Sequence, residues 1–173
     1  MSKDEKVSIV SYDPNWVEKF EQEKELIQRT IGEFITGGIH HVGSTAIPGL
    51  SAKPIIDIMV GVDSLKNTKP CIEQLEKIQY CYYPYRPEIM HWFCKPSPEH
   101  RTHHLYLIEK DNSEFKARLA FRDYLKTHPE TRKEYENLKV DLAEKFADDR
   151  EAYTQAKTDF ITTVTKQALE ELS

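Results

Sequence analysis

The chain predicts an α+β protein: a small mixed β-sheet flanked by helices and followed by a helical C-terminal half. Three observations predict it. Residues 1–110 alternate short β-branched apolar runs with Gly, Pro and Asn; residues 111–173 carry apolar side chains at three- and four-residue steps; and a helix separates two of the strands. With 173 residues, against ~150 per domain, the length suits a single domain over 1–173, a sheet-rich core at 1–110 with the helical part, 111–173, packed on it.

The first helix opens at Asp13-Pro14, a start signal, and Trp16, Phe20, Lys24, Ile27, Ile31 and Phe34 keep helical spacing until Gly37 and Gly38 stop it. Ile39–Val42 and Pro54–Val62 read as strands through their β-branched content. Leu65, Ile72, Leu75 and Ile78 share one face of a helix over 65–78. Tyr80–Tyr83, Ile89–Lys95 and His103–Glu109 read as three further strands. Beyond them, Asp111 with Glu114, Thr127 with Glu130 around Pro129, and Asp148 with Glu151 are capping-box patterns that imply three helices. The last carries Tyr153, Phe160, Val164, Ala168 and Leu172 as a stripe that must be buried.

Composition excludes several classes. Charged residues are 31% and hydrophobic residues 39%, while Gly and Pro number 6 and 9, which removes collagen-like and linker-like chains. Nine Tyr, seven Phe and two Trp supply core material that a disordered chain lacks. No apolar run approaches the ~20 residues that cross a bilayer, and the start, MSKDEK, is charged, so the expectation is a soluble, cytoplasmic protein without membrane contact. Cys71, Cys81 and Cys94 fit neither a disulfide framework nor a zinc knuckle and read as reduced thiols. A net charge of −5 argues against broad nucleic-acid binding but permits a small anion in a local basic pocket.

The segment HVGSTAIPGLSAKPIIDIMV, residues 41–60, carries the chemistry. Its first strand ends on Gly43, where the absence of a Cβ lets a ligand approach the backbone, and Ser44 and Thr45 add two hydroxyls and free N–H groups for one anion. Thirteen residues after Ser44, Asp57 stands inside an apolar strand, sharing a face with Met59 while Ile56 and Ile58 take the other. An ionised carboxylate there needs a partner, either a cation, a hydrogen bond or a metal. Lys53 at the strand entrance and Arg122, set among Phe121, Tyr124 and Leu125, are the cations suited to phosphate or carboxylate. Arg86, Lys95, Arg101, Arg118, Lys139 and Lys157 read as mostly solvated.

A Gly-Ser turn followed by a strand with a site-facing acid resembles the nucleotidyltransferase superfamily, and the string HVGSTAIPGLSAKPIID resembles the GrpB (UPF0157-type) family usually placed in it. Tyr12, Asp13, Pro14, Trp16 and Phe20 fit the family's opening; Phe121 to Leu125, Pro129, Tyr135, Leu138 and Lys139, then Tyr153, Lys157, Phe160 and Ile161 fit its helical half. The resemblance implies a nucleotidyltransferase-type sheet. It also implies nucleotidyl transfer from a nucleoside triphosphate with Mg²⁺, held by Asp57, the phosphates lying on Gly43, Ser44, Thr45, Lys53 and Arg122. Active superfamily members place a second acid two positions after the first, where this chain has Met59, and a third on a neighbouring strand. A thioether is a poor Mg²⁺ ligand. The family pattern also has His where this chain has Tyr106 and an acid where it has His40. Some relatives are joined to a dephospho-coenzyme A kinase, which implies a coenzyme A related or adenine-nucleotide ligand and, as the alternative to transfer, a catalytically degenerate binder.

Six of the seven histidines fall in the strand-rich half. Neighbours in a strand point to opposite faces, so His41, His104 and Asp57 are the set that a metal could gather, and His104 is the candidate general base or substrate contact. Glu88, Glu109 and Asp123 are the candidates for a second oxygen donor beside Asp57.

Overall fold

The computed structural model of the protein describes residues 6–173, so the charged start through Glu5 lies outside the described residues. Helix α1 (Asn15–Ile31) leads through a 3-10 turn to strand β1 (Ile35–Val42); β2 (Ile56–Val62) follows, then α2 (Pro70–Glu76), β3 (Cys81–Tyr83), β4 (Met90–Pro96) and β5 (Arg101–Glu109). Helices α3 (Ser113–Thr127), α4 (Pro129–Lys145), α5 (Arg150–Ala156) and α6 (Thr158–Leu172) complete the chain. The five strands form one mixed sheet in the order β1-β2-β5-β4-β3, antiparallel except for the central β2–β5 pair. This is the α+β architecture that the sequence predicts.

Alternation along β2 divides the molecule. Ile56, Ile58, Val60 and Val62 join Trp16, Phe20, Ile27 and Ile31 of α1 and Leu75 of α2 in the largest apolar cluster. Each such fully buried side chain contributes ~1.5–3 kcal/mol, so this face anchors the sheet. On the other face Met59 packs with Val42, Met90, Ile108 and Phe115 of α3. Farther out, Ile47 and Leu50 meet Leu125, Tyr135 and Val164, which ties the segment between β1 and β2 to α3, α4 and α6.

Several boundaries depart from expectation. Gly37 and Gly38 do not end the first helix, which stops at Ile31; they lie inside β1, at a register shift between Ile35 and Ile39. There the backbone of Gly37 rests on Gly61, so close that a Cβ on Gly61 would fall 2.6 Å from the Gly37 Cα. The helix expected over 65–78 is confined to 70–76, because Pro70 has no N–H to continue a ladder from the preceding turns and Gln79 takes a positive φ of 73°. Asn112, not Asp111, caps α3 by accepting the Glu114 N–H at 2.8 Å. No side-chain cap precedes Pro129: the Thr127 hydroxyl donates backwards to the Asp123 and Tyr124 carbonyls. Asp149 rather than Asp148 caps α5, accepting from Ala152 at 3.0 Å.

The three expected C-terminal helices are four, since the last is divided at Lys157. Its stripe is buried at Tyr153, Val164 and Ala168, but Leu172 is 75% exposed. All three cysteines are free, with Cys71 and Cys94 buried. Among the described residues no helix is long and apolar enough to cross a membrane.

Candidate functional site

The parallel pairing of β2 with β5 sets Asp57 directly beside His104 and Met59 beside Tyr106. With period two, all four side chains stand on the sheet face that α3 covers, the opposite face from α1. Asp57 Oδ1 accepts from the Tyr106 hydroxyl at 3.1 Å and lies 3.1 Å from His104 Nδ1. Asp57 keeps 23% of its side chain exposed and His104 13%. Burial raises the Asp57 carboxyl, but the bond from His104, the charges of His104 and Lys53 and the Tyr106 hydroxyl together hold it below the usual carboxylate value. Burial pulls His104 below its ordinary value, the hydrogen bond and charge of Asp57 opposing; Nδ1 faces Asp57 and Nε2 is buried with no hydrogen-bond partner among the described residues. Above Tyr106 the Arg118 guanidinium lies 4.3 Å from the ring centroid.

The Gly-Ser turn meets this acid. Gly43 has φ 72° and ψ −174°, a conformation that only glycine adopts readily, and a Cβ there would fall 2.4 Å from Asp57 Oδ2. Sequence positions 43 and 57 thus share one place, as the resemblance implies. Ser44 faces the Tyr135 hydroxyl, whose pKa burial lifts to about 12. Thr45 is spent internally: it is 1% exposed and its hydroxyl donates to the Ile55 carbonyl at 3.1 Å while meeting His41 Nε2 at 2.9 Å. Its hydroxyl braces the turn instead of facing an anion. Arg122 borders the turn by donating to the His41 carbonyl at 3.2 Å, and its Nε donates to Asp123 at 2.8 Å.

Three lysines converge here, two of which, Lys139 and Lys157, are expected from sequence to be solvated. The Lys53 and Lys157 ammonium groups lie 5.0 and 4.4 Å from the centroid of the Tyr153 ring, and Lys139 lies 4.8 Å from that of Tyr135. Lys139 is 1% exposed and donates to the Ser51 carbonyl. Burial lowers Lys53 to about 7, with the charge of Lys157 pressing the same way and Asp57 opposing. Burial lowers Lys157 to about 8, again against Asp57, and Lys139 to about 7 with Lys157 adding to the effect. Among the described residues neither Lys53 nor Lys157 forms an ion pair. The available signal is Tyr153 with Lys157 and Tyr135 with Lys139, an aromatic residue followed four positions later by a lysine, within α4 for the second pair and at the end of α5 for the first.

The donor set does not fit a two-ion Mg²⁺ clamp. Asp57 supplies one carboxylate, and one of its oxygens already accepts from Tyr106. Met59 and Tyr106, at the neighbouring positions, supply no carboxylate, and Met59 is fully buried. Glu109 lies opposite Val62 at the far end of the strand pair and accepts from the Leu65 N–H, Asp123 is bound to Arg122, and Glu88 is exposed in the β3–β4 connection. The metal set of His41, His104 and Asp57 fails on direction: His41 stacks on Phe20 of α1, ring centroids 4.8 Å apart, across the sheet from the acid. Among the described residues no group of three His, Cys, Asp or Glu side chains is placed to hold a metal.

A family model described as "GrpB protein" matches residues 6–167. The "Glutamate-rich protein GrpB" of Alkalihalophilus pseudofirmus is 38% identical over 160 residues, 90% of this chain and 91% of that protein. The "UPF0157 protein YqkA" of Bacillus subtilis is 36% identical over 163 residues, 94% of this chain but only 47% of its own length, so this chain spans about half of that relative. A crystal structure of conserved protein GrpB from Enterococcus faecalis superimposes with a TM-score of 0.88 at 34% identity, covering 95% of this chain and 99% of that one. A chain of the GLD-2/RNP-8 complex shares the fold alone, with a TM-score of 0.57 at 12% identity over 87% of this chain and 60% of that chain. Matched along nearly its whole described length in sequence and in backbone, the chain belongs to the GrpB family.

Proposed function

We propose that this protein binds a phosphorylated metabolite, a nucleoside di- or triphosphate or a coenzyme A related molecule, with its phosphates on Lys53 and Lys157 beside the Gly43–Ser44 turn. One observation carries the reading: two lysines share the Tyr153 ring with no ion-pair partner among the described residues and one carboxylate, Asp57, near them. Gathering like charges out of water is unfavourable, and a polyanion removes that penalty. Mg²⁺ enters this reading only as the counter-ion of the ligand's phosphates, met by Asp57 alone.

Nucleotidyl transfer is the second reading, favoured by the Asp57–His104 contact beside the Gly43–Ser44 turn, with His104 as the candidate base for an acceptor hydroxyl. The two readings separate in one set of measurements. Binding predicts that each of several nucleotides, with and without Mg²⁺, raises the melting temperature, the stabilisation reaching ~2.7 kcal/mol at a hundredfold excess over Kd. A Lys53→Ala, Lys157→Ala double variant should lose this gain while remaining folded. No shift with any nucleotide, coenzyme A or dephospho-coenzyme A overturns the proposal. Release of pyrophosphate from a nucleoside triphosphate, abolished by His104→Ala, selects transfer.

A further inference from the structure

On the Asp57 face the sheet does not end at His104. The Trp92 ring lies 5.3 Å from that of His104, and beyond it Tyr83 and Tyr85 stand edge-on to Trp92 at 6.2 and 6.3 Å. Register explains the row: Trp92 pairs with Tyr106 across β4–β5 and Tyr83 pairs with Trp92 across β3–β4, so alternation points all three to the same face. The outer members are open, Tyr83 at 60% and Tyr85 at 48% exposed, although large aromatic side chains are ordinarily recruited into cores. Arg101 borders this row, its guanidinium 5.6 Å over the Trp92 ring.

We infer that the exposed rings of Tyr83 and Tyr85, standing edge-on against Trp92, offer a stacking shelf for a planar ring, so that the phosphate-bearing ligand is a nucleotide whose base lies on that shelf while its phosphates reach Lys53 and Lys157. The inference rests on the phosphate site proposed above and adds the chemical class of the rest of the ligand. Every nucleobase has a face that stacks on an aromatic side chain. A sugar phosphate or inorganic polyphosphate has nothing to place there.

Titration of the protein with inorganic tripolyphosphate and with each of the four nucleoside triphosphates tests it. At least one nucleotide should bind about tenfold more tightly than tripolyphosphate, the size of one stacking contact. Trp16 is 2% exposed, so quenching of tryptophan emission by the nucleotide and not by tripolyphosphate reports Trp92. A Tyr83→Ala, Tyr85→Ala variant should lose the tenfold preference and keep its tripolyphosphate affinity, whereas Tyr85→Phe, which retains the ring, should bind as the parent does. Equal affinity for tripolyphosphate and every nucleotide, or a double variant with its preference intact, overturns the shelf and leaves the lysine site standing. Failure of both anion types to bind removes the lysine site and the shelf together.

Discussion

Gly43 lies directly against Asp57. Its backbone is held at φ 72°, and any Cβ at that position would collide with the carboxylate at 2.4 Å. Two separate penalties therefore attend Gly43→Ala: a backbone conformation that side chains rarely adopt and a steric overlap with a charged, hydrogen-bonded group. The expected loss of stability is on the order of 2–4 kcal/mol. Adding Asp57→Gly should recover the steric part and leave the backbone part, which a double-mutant cycle by chemical denaturation measures. A Gly43→Ala protein as stable as the parent would show that the turn relaxes freely.

Met59 fills the place where a second metal-binding acid would stand, in a dry cluster with Val42, Met90, Ile108 and Phe115. Met59→Asp should destabilise by roughly 3 kcal/mol or more, because the new carboxylate is fully buried among apolar side chains and shares a strand face with the ionised Asp57. Titration with Mg²⁺ should not restore the melting temperature. Recovery with millimolar Mg²⁺ would reveal a site more open to ions than this packing allows.

Anion binding should depend on pH through the lysines. Lys53 and Lys157 sit near 7 and 8 in the free protein, and a bound polyanion raises both towards their ordinary value of 10.5. Binding then takes up protons above pH 7, so affinity is highest at or below that pH and falls as pH rises towards 10, by up to ~tenfold per unit for each lysine. Calorimetry in buffers of different ionisation heat counts the protons directly. In the free protein the sign is reversed: the unfolded chain holds these protons more tightly, so their contribution to stability grows as pH rises from about 7 towards 10.5. Proton release on binding would contradict the lysine site.

Acid should weaken the fold before the carboxylates titrate. Burial lowers His41 to about 4, and His91, His103 and His104 are lowered for the same first reason. An unfolded histidine binds its proton near 6.5, so the stability of the neutral folded form is present above 6.5 and is lost as pH falls towards 4. His41→Gln, which ends the stacking on Phe20 but also the titration, should lower stability at pH 7 and flatten the decline between pH 6.5 and 4. Parallel stability–pH curves for variant and parent would mean that His41 takes no part in the acid limb.

The local order of this protein is written in short-range chemistry. Apolar spacing defines α1, alternation sets Asp57 and Met59 against Ile56 and Ile58, and glycine at 43 marks a place where the backbone is approached closely, which the structure shows to be by Asp57. Boundaries shift where one atom decides, as when the missing N–H of Pro70 shortens α2, or when Asn112 rather than its neighbour reaches the Glu114 amide. Lys157 and Lys139 are different in kind. A tyrosine four residues earlier is the one local mark that either carries, and it does not reveal burial, which comes from α4, α5 and the segment before β2 closing on one another. Desolvation depends on every atom around a charge, wherever in the chain it originates, and so only the assembled molecule turns these lysines into a site while Thr45, which its place in a turn marks as an anion donor, becomes a buried brace.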